Sequence, residues 1–261
     1  MLKKLLDRWS LRLFLKRISW FAIIVTGVLL IALTGLSVYG NNVGNFVVSV
    51  DNDVSISLSL SETGAFSGVD ATSVLATKGI KGITDTTYKF IPEDIDEGSG
   101  LKSDTANGRY FAYSFYLKNT SEIAIGYSAE VNINKATRGI EKAIRIMLIT
   151  DASGERTTEI FAAPKDDGTA EVLTADNAMV DDGTELKEDG IESERDYVKP
   201  YATTPFLTGS RVAKLFIDSI ERNQIHKYTV VMWIEGWDED CVDSIIDGTL
   251  EIDMTFKSYL G

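Results

Sequence analysis

The stretch FAYSFYLKNTSEIAIGYSAEVNI, residues 111–133, alternates apolar and polar side chains, pauses at one polar turn, and resumes the alternation in phase. Phe111, Tyr113, Phe115 and Leu117 hold the odd positions before the turn. Ile123, Ile125, Tyr127, Ala129, Val131 and Ile133 hold them after it. A helix repeats its buried face about every 3.6 residues, so a period of two over this length predicts two strands, each with one buried face. Lys118, Asn119, Thr120 and Ser121 between them have turn chemistry.

The same pattern recurs in VSISLSLS (Val54, Ile56, Leu58, Leu60), KYTVVMWIE (Tyr228, Val230, Met232, Ile234) and TLEIDMTF (Leu250, Ile252, Met254, Phe256). Shorter candidates are NFVVSV at 45–50, TYKFI at 87–91, IRIMLI at 144–149, TEIFAA at 158–163 and VAKLFI at 212–217. Some nine or ten strands with polar joints predict a mainly β chain, an antiparallel β-sandwich or jelly roll. Two places depart from this. NKATRGIEKAIRI has helical spacing through Ala136, Ile140 and Ala143, which predicts one or two turns of helix. From Lys165 to Lys199 the chain carries twelve Asp/Glu against four Lys/Arg and few large apolar residues, which predicts an exposed acidic excursion on the sandwich.

Ahead of the strands, ISWFAIIVTGVLLIALTGLSV runs from Ile18 to Val38 without a charge. At ~1.5 Å per residue such a helix crosses the ~30 Å hydrocarbon core of a bilayer. Trp20 and Tyr39 stand at its ends, where amphipathic rings prefer the headgroup layer, and Lys16 and Arg17 abut the first end. Residues 1–17 therefore read as a basic amphipathic cytoplasmic head, 18–39 as a transmembrane signal anchor, and 40–261 as the extracellular body. Cleavage after Gly40, which would release the body, is the second expectation; the apolar run is longer than the usual signal-peptide core.

The first 40 residues hold six Lys/Arg against Asp7 alone, leaving 20 basic and 38 acidic residues beyond them. An acidic body repels phosphate backbones, which argues against nucleic acid as a partner. The lipid bilayer, further copies of the chain or other cell-surface proteins are the partners expected. Cys241 is the only cysteine, so the chain can close no disulfide on itself.

Phe115-Tyr116-Leu117-Lys118-Asn119-Thr120-Ser121-Glu122-Ile123-Ala124-Ile125 and the closing strand Thr249 to Phe256, behind a hydrophobic segment, resemble the TasA/camelysin family of exported bacterial matrix proteins. The resemblance implies a jelly roll and assembly by lending an N-terminal strand to a neighbouring copy. The corresponding stretch is Asn41 to Val50, with Phe46, Val48 and Val50 as its apolar phase. The long basic head and the anchor depart from that pattern.

Catalytic apparatus is sparse. Zinc peptidase chemistry needs two nearby histidines with a carboxylate, and His226 is the single histidine, expected at a strand end on the surface. A Ser-His-Asp triad would need it too, and no G-x-S-x-G is present. No enzyme activity and no resident cofactor are expected. The metal candidate is GWDEDCVDSIIDG, where Asp238, Asp240, Asp243 and Asp247 offer hard oxygen ligands to calcium in an extracellular loop; the alternative is that they solvate the loop while Asp238 caps a short helix. Trp233 and Trp237 flank Glu235 on the outward phase of their strand. An exposed aromatic pair could bind carbohydrate, and packing beneath the acidic excursion explains them as simply. Asn119-Thr120-Ser121 is a formal glycosylation sequon in a turn. The function expected is that of a membrane-anchored or secreted bacterial cell-surface structural or adhesive protein, the alternative being an envelope-tethered ligand-binding or calcium-dependent adhesion module.

Overall fold

A computed structural model describes residues 46–52, 57–79, 82–103, 108–179 and 198–260. The basic head, the apolar run with Trp20 and Tyr39, Lys16 and Arg17, the strand expectation at Val54 and Ile56, and the centre of the acidic excursion lie outside them. Among the described residues no helix is long and apolar enough to cross a membrane.

The chain is mainly β. Its strands are β1 (Phe46–Asp51), β2 (Leu58–Ser61), β3 (Val74–Ala76), β4 (Gly100–Ser103), β5 (Phe111–Asn119), β6 (Ile125–Ala136), β7 (Ile144–Ala152) and β8 (Glu155–Ala162). They continue as β9 (Val172–Leu173), β10 (Tyr201–Ala202), β11 (Thr204–Pro205), β12 (Arg211–Ile220), β13 (Ile225–Ile234) and β14 (Leu250–Tyr259), and among the described residues an α-helical turn, α1 (Ile140–Ala143), stands where helical spacing predicted it. Tyr88–Phe90 is a 3-10 turn rather than the strand expected at 87–91.

A five-stranded sheet runs in the order β12-β6-β14-β1-β3. A second sheet runs β11-β8-β7-β13-β5-β2, with β4 also on β5. The predicted ribbon is β5 and β6, but these strands enter different sheets. Pairing is not antiparallel throughout: β1 lies parallel to β14 and β11 parallel to β8. The inward residues of both sheets share one core, built from Phe46, Phe111, Phe115, Leu117, Tyr127, Tyr228, Val230, Met254 and Phe256.

The larger sheet is buried on its other face as well. Ala112, Met147, Ile149, Ile160, Val231 and Trp233 point away from the first core and are covered by Ile91, Ile95, Leu173, Ala178, Val198 and Tyr201. This explains the near-continuous apolar runs IRIMLI and TVVMWI, since a strand buried on both faces has no reason to alternate. It also corrects one expectation about the acidic excursion. Leu173, Ala178 and Val198, near its two ends, are buried against the sheet.

Asn119 fixes the corner between the ribbon strands. Its Oδ1 accepts from the Ser121 N–H at 2.8 Å, and its Nδ2 donates to the carbonyls of Ile123 at 2.8 Å and Ile220 at 2.9 Å. One side chain thus holds β5, the turn and the end of β12. With no exposed surface and both amide ends engaged, Asn119 is not available as a glycan acceptor in the folded chain.

Candidate functional site

The residues singled out by sequence fall into three places. The first is β1. Phe46 and Val48 are fully buried, while Val50 is half-buried against the same core. Alternation along FVVSVD turns these side chains inward and leaves Val47, Ser49 and Asp51 on the other face. The strand pairs in parallel with β14 from Phe46 opposite Ile252 to Asp51 opposite Lys257, and antiparallel with β3 through Val47, Val48 and Ser49. Ser49 and Thr255 hydroxyls stand 3.3 Å apart across the β1–β14 seam. No proline interrupts the stretch.

The second place is the outer end of β13, where a charged network is buried. Arg145 on β7 forms an ion pair with Asp238, both side chains being almost wholly inaccessible. Its Nε donates to the Tyr201 hydroxyl at 3.0 Å, and that hydroxyl donates to Glu235 Oε2 at 2.8 Å. Trp233 Nε1 donates to the same carboxylate oxygen at 3.0 Å. Tyr88 stacks on Trp233 with centroids 5.9 Å apart and meets Tyr201 edge-on at 5.2 Å. Burial pushes the Glu235 carboxyl above its ordinary range, against the opposing pull of the Trp233 and Tyr201 hydrogen bonds and of Arg145. Burial weighs against the charge on Arg145, but Tyr201 and Asp238 outweigh it and hold the guanidinium above its ordinary value.

This arrangement corrects two sequence-based expectations. Trp233 is fully buried, so it presents no surface to a carbohydrate; Trp237 is half-buried against the same outer core. Packing, the simpler of the two readings, is what places them there. The four aspartates of the calcium candidate do not converge. Asp238 is committed to Arg145, Asp240 lies 3.7 Å from the Lys142 ammonium, Asp243 opens a 3-10 turn, and Asp247 takes a left-handed φ of 60°. Among the described residues no group of three or more His, Cys, Asp or Glu side chains is placed to hold a metal ion. Asp238 caps no helix: the turn that follows starts from Val242. Beside the network a polar cleft of about 400 Å³ is lined by Lys142, Lys165, Asp166, Asp167, Glu171, Glu239 and Asp240, among others. Burial and the neighbouring Asp238 raise the Glu171 carboxyl within it.

The third place is His226, which is fully buried rather than at the surface. The Ser153 backbone N–H donates to Nε2 at 3.2 Å, so that nitrogen carries the lone pair and Nδ1 carries the proton. Nδ1–H then donates to the Tyr127 hydroxyl at 2.6 Å, which in turn donates to Tyr228. Burial pushes the imidazole down to about 4, the nearby Asp151 opposing the shift. The ring is therefore neutral near pH 7 and links hydroxyls of both sheets. The path runs from a backbone amide through three side chains, with no carboxylate to orient the ring as a general base.

Sequence reasoning passed over Arg145, Tyr201 and the role of Glu235. Their signal was present. Arg145 and Glu235 are lone charges in or beside the apolar runs IRIMLI and TVVMWI, and a charge that a buried strand carries must be paired.

No protein-family model matches the chain, and comparison with curated proteins and with solved structures gives no match.

Proposed function

We propose that the chain is a bacterial cell-surface structural or adhesive protein, held by residues 18–39 in the cell membrane with its head in the cytoplasm and its acidic two-sheet body outside. We read that body as a jelly roll of the TasA/camelysin kind, assembling with further copies by exchange of β1. The observation that carries the reading is the seating of β1. It is the first strand described, it fills a slot between β14 and β3, and it contributes Phe46 and Val48 to the shared core. An identical strand from a neighbour satisfies the same backbone partners and the same core positions. The inward-turned polar groups support a structural role: Arg145, Asp238, Glu235 and the neutral His226 are all engaged in holding elements together.

The test exploits the register of Ser49 with Thr255, since adjacent strands run ~4.8 Å apart, within the span of a disulfide. In a Cys241→Ser background, copies carrying only Ser49→Cys are co-expressed with copies carrying only Thr255→Cys and oxidised mildly. Strand exchange gives a covalent heterodimer between the two. A chain that keeps its own β1 gives none, although the double variant S49C/T255C still closes within one chain.

A further inference from the structure

The open edge of the five-stranded sheet is β12, RVAKLFIDSI, followed by Glu221. β6 occupies one side of it; among the described residues no strand pairs with the other, apart from a bridge between Thr208 and Arg211 that closes the turn before it. Between the irregularities that interrupt its register with β6 at Arg211–Ala213 and at Ile217–Ile220, this proline-free edge presents unpaired N–H and C=O groups to any strand that approaches. Phe216, at its middle, is 62% exposed, with the Lys214 ammonium 5.2 Å from its ring centroid.

The sequence of this edge is self-complementary about Phe216. Reading outward from the ring, Leu215 matches Ile217 and Lys214 matches Asp218, and the match ends there, because the register with β6 is interrupted between Arg211 and Ala213 and again between Ile217 and Ile220. Lys214, Phe216 and Asp218 are exposed on the solvent face, whereas Leu215 and Ile217 are half-buried toward the core. We propose that β12 pairs antiparallel with β12 of a second copy, across a two-fold axis at Phe216, joining two five-stranded sheets edge to edge.

Directly opposed residues of antiparallel strands point to the same face, so the two phenyl rings meet at the axis and each Lys214 faces the other copy's Asp218. A two-fold contact requires that residue i meet j and j meet i, which this pattern satisfies. The neighbouring registers that keep the faces matched are equally symmetric but oppose less compatible side chains. A shift of two residues either way sets Phe216 against Lys214 or Asp218; a shift of four brings Lys214 against Lys214 or Asp218 against Asp218. The edge is also poised electrostatically. Glu130 on β6 is already bridged by Lys214 at 2.6 Å and by Arg211 at 3.4 Å, so it keeps a cation when Lys214 turns toward the new Asp218. This contact is symmetric and closes on itself, unlike head-to-tail lending of β1, and it does not depend on that reading.

The experiment uses the full chain in detergent extracts of its own membranes, with Cys241→Ser and Phe216→Cys. Opposed Cα atoms lie ~4.5–5.5 Å apart, which a disulfide spans. Mild oxidation is expected to give a covalent homodimer. Adding Asp218→Lys, which sets Lys against Lys twice, is expected to lower the yield about tenfold. Adding Lys214→Asp as well exchanges the charges and is expected to restore it. Sedimentation of the wild-type chain and of D218K without the engineered cysteine should show the same order of self-association, and unchanged circular dichroism confirms that both are folded. A chain that stays monomeric, a cross-link to some other protein, or a homodimer whose yield ignores the charge changes overturns the proposal.

Discussion

The two faces of the larger sheet are buried by different means. On the inner face strands meet strands. Phe115 stacks on Tyr228 with centroids 5.8 Å apart, Tyr228 meets Phe256 edge-on at 5.0 Å, and the polar groups are a chain of neutral hydroxyls and one imidazole. On the outer face the cover consists of short turns and two-residue strands, and the buried groups include Arg145, Asp238 and Glu235. Regular strands impose their own register through backbone pairing and alternation. Irregular segments have no ladder to locate them, and directional charged hydrogen bonds hold them to one position. A buried ion pair contributes little net stability against an apolar replacement, so its value here is positional.

The sharpest break in that comparison is at Arg145. Arg145→Ala leaves Asp238 and Glu235 buried without their cation, and the expected loss is about 3–5 kcal/mol, seen as a lower midpoint in chemical denaturation. Arg145→Met with Asp238→Leu should recover much of the stability. The same pair of variants should release Tyr201 and the outer cover, seen as faster hydrogen exchange at 198–202 than at 228–232.

The inner face gives the next effect, and it depends on pH. The imidazole titrates at about 4 when folded against an ordinary 6.5, so below pH 6.5 the unfolded chain takes up the proton first. Stability present above that value is lost as pH falls toward 4, by about 3 kcal/mol from this group. Glu235, raised by burial, works in the opposite direction, so the contribution is read as the difference between wild type and His226→Gln across that window. The wild type should lose more stability on acidification than the variant. Equal losses would mean that the ring is solvated.

Asn119→Ala removes the fastener between β5 and β12 while leaving both cores intact. Two backbone carbonyls lose their donor, for an expected cost of about 2 kcal/mol, detected as a drop in melting temperature. The smallest effect belongs to the solvent face of the five-stranded sheet. Lys135 and Glu251, 3.2 Å apart, are both about half exposed, and Lys135→Ala should change stability by less than about 0.5 kcal/mol.

The inner face was legible because period-two alternation is a direct consequence of having one face buried. The ribbon strands, the closing strand at 250–256 and the helical turn at Ile140 stand where spacing places them, except that Ile123, read as the first inward residue of the second ribbon strand, falls in the turn and is exposed. The outer face was not. Trp233 falls on the phase that alternation assigns to solvent, and only the covering of that face by Tyr88, Tyr201 and Val198, distant in sequence, turns it into core. His226 differs: it shares the inward phase of Tyr228 and Val230, and because β13 begins at Ile225, ahead of the pattern read from Lys227, the ring enters the core beside Tyr127 of the other sheet. The calcium candidate failed to assemble because Asp238 is drawn inward by Arg145, 93 residues away. The parallel entry of β1 beside β14 carries no local signature either, since a strand does not record the direction of its neighbour.

The central functional claim is that the acidic body stands outside a membrane crossed by residues 18–39. Intact cells treated with a membrane-impermeant amine reagent, followed by peptide mass spectrometry, test it most directly. Exposed Lys135 and Lys257 are expected to be modified on intact cells, and Lys3 and Lys4 only after lysis. Protection of Lys135 and Lys257 until lysis, or labelling of Lys3 and Lys4 before it, would contradict the account.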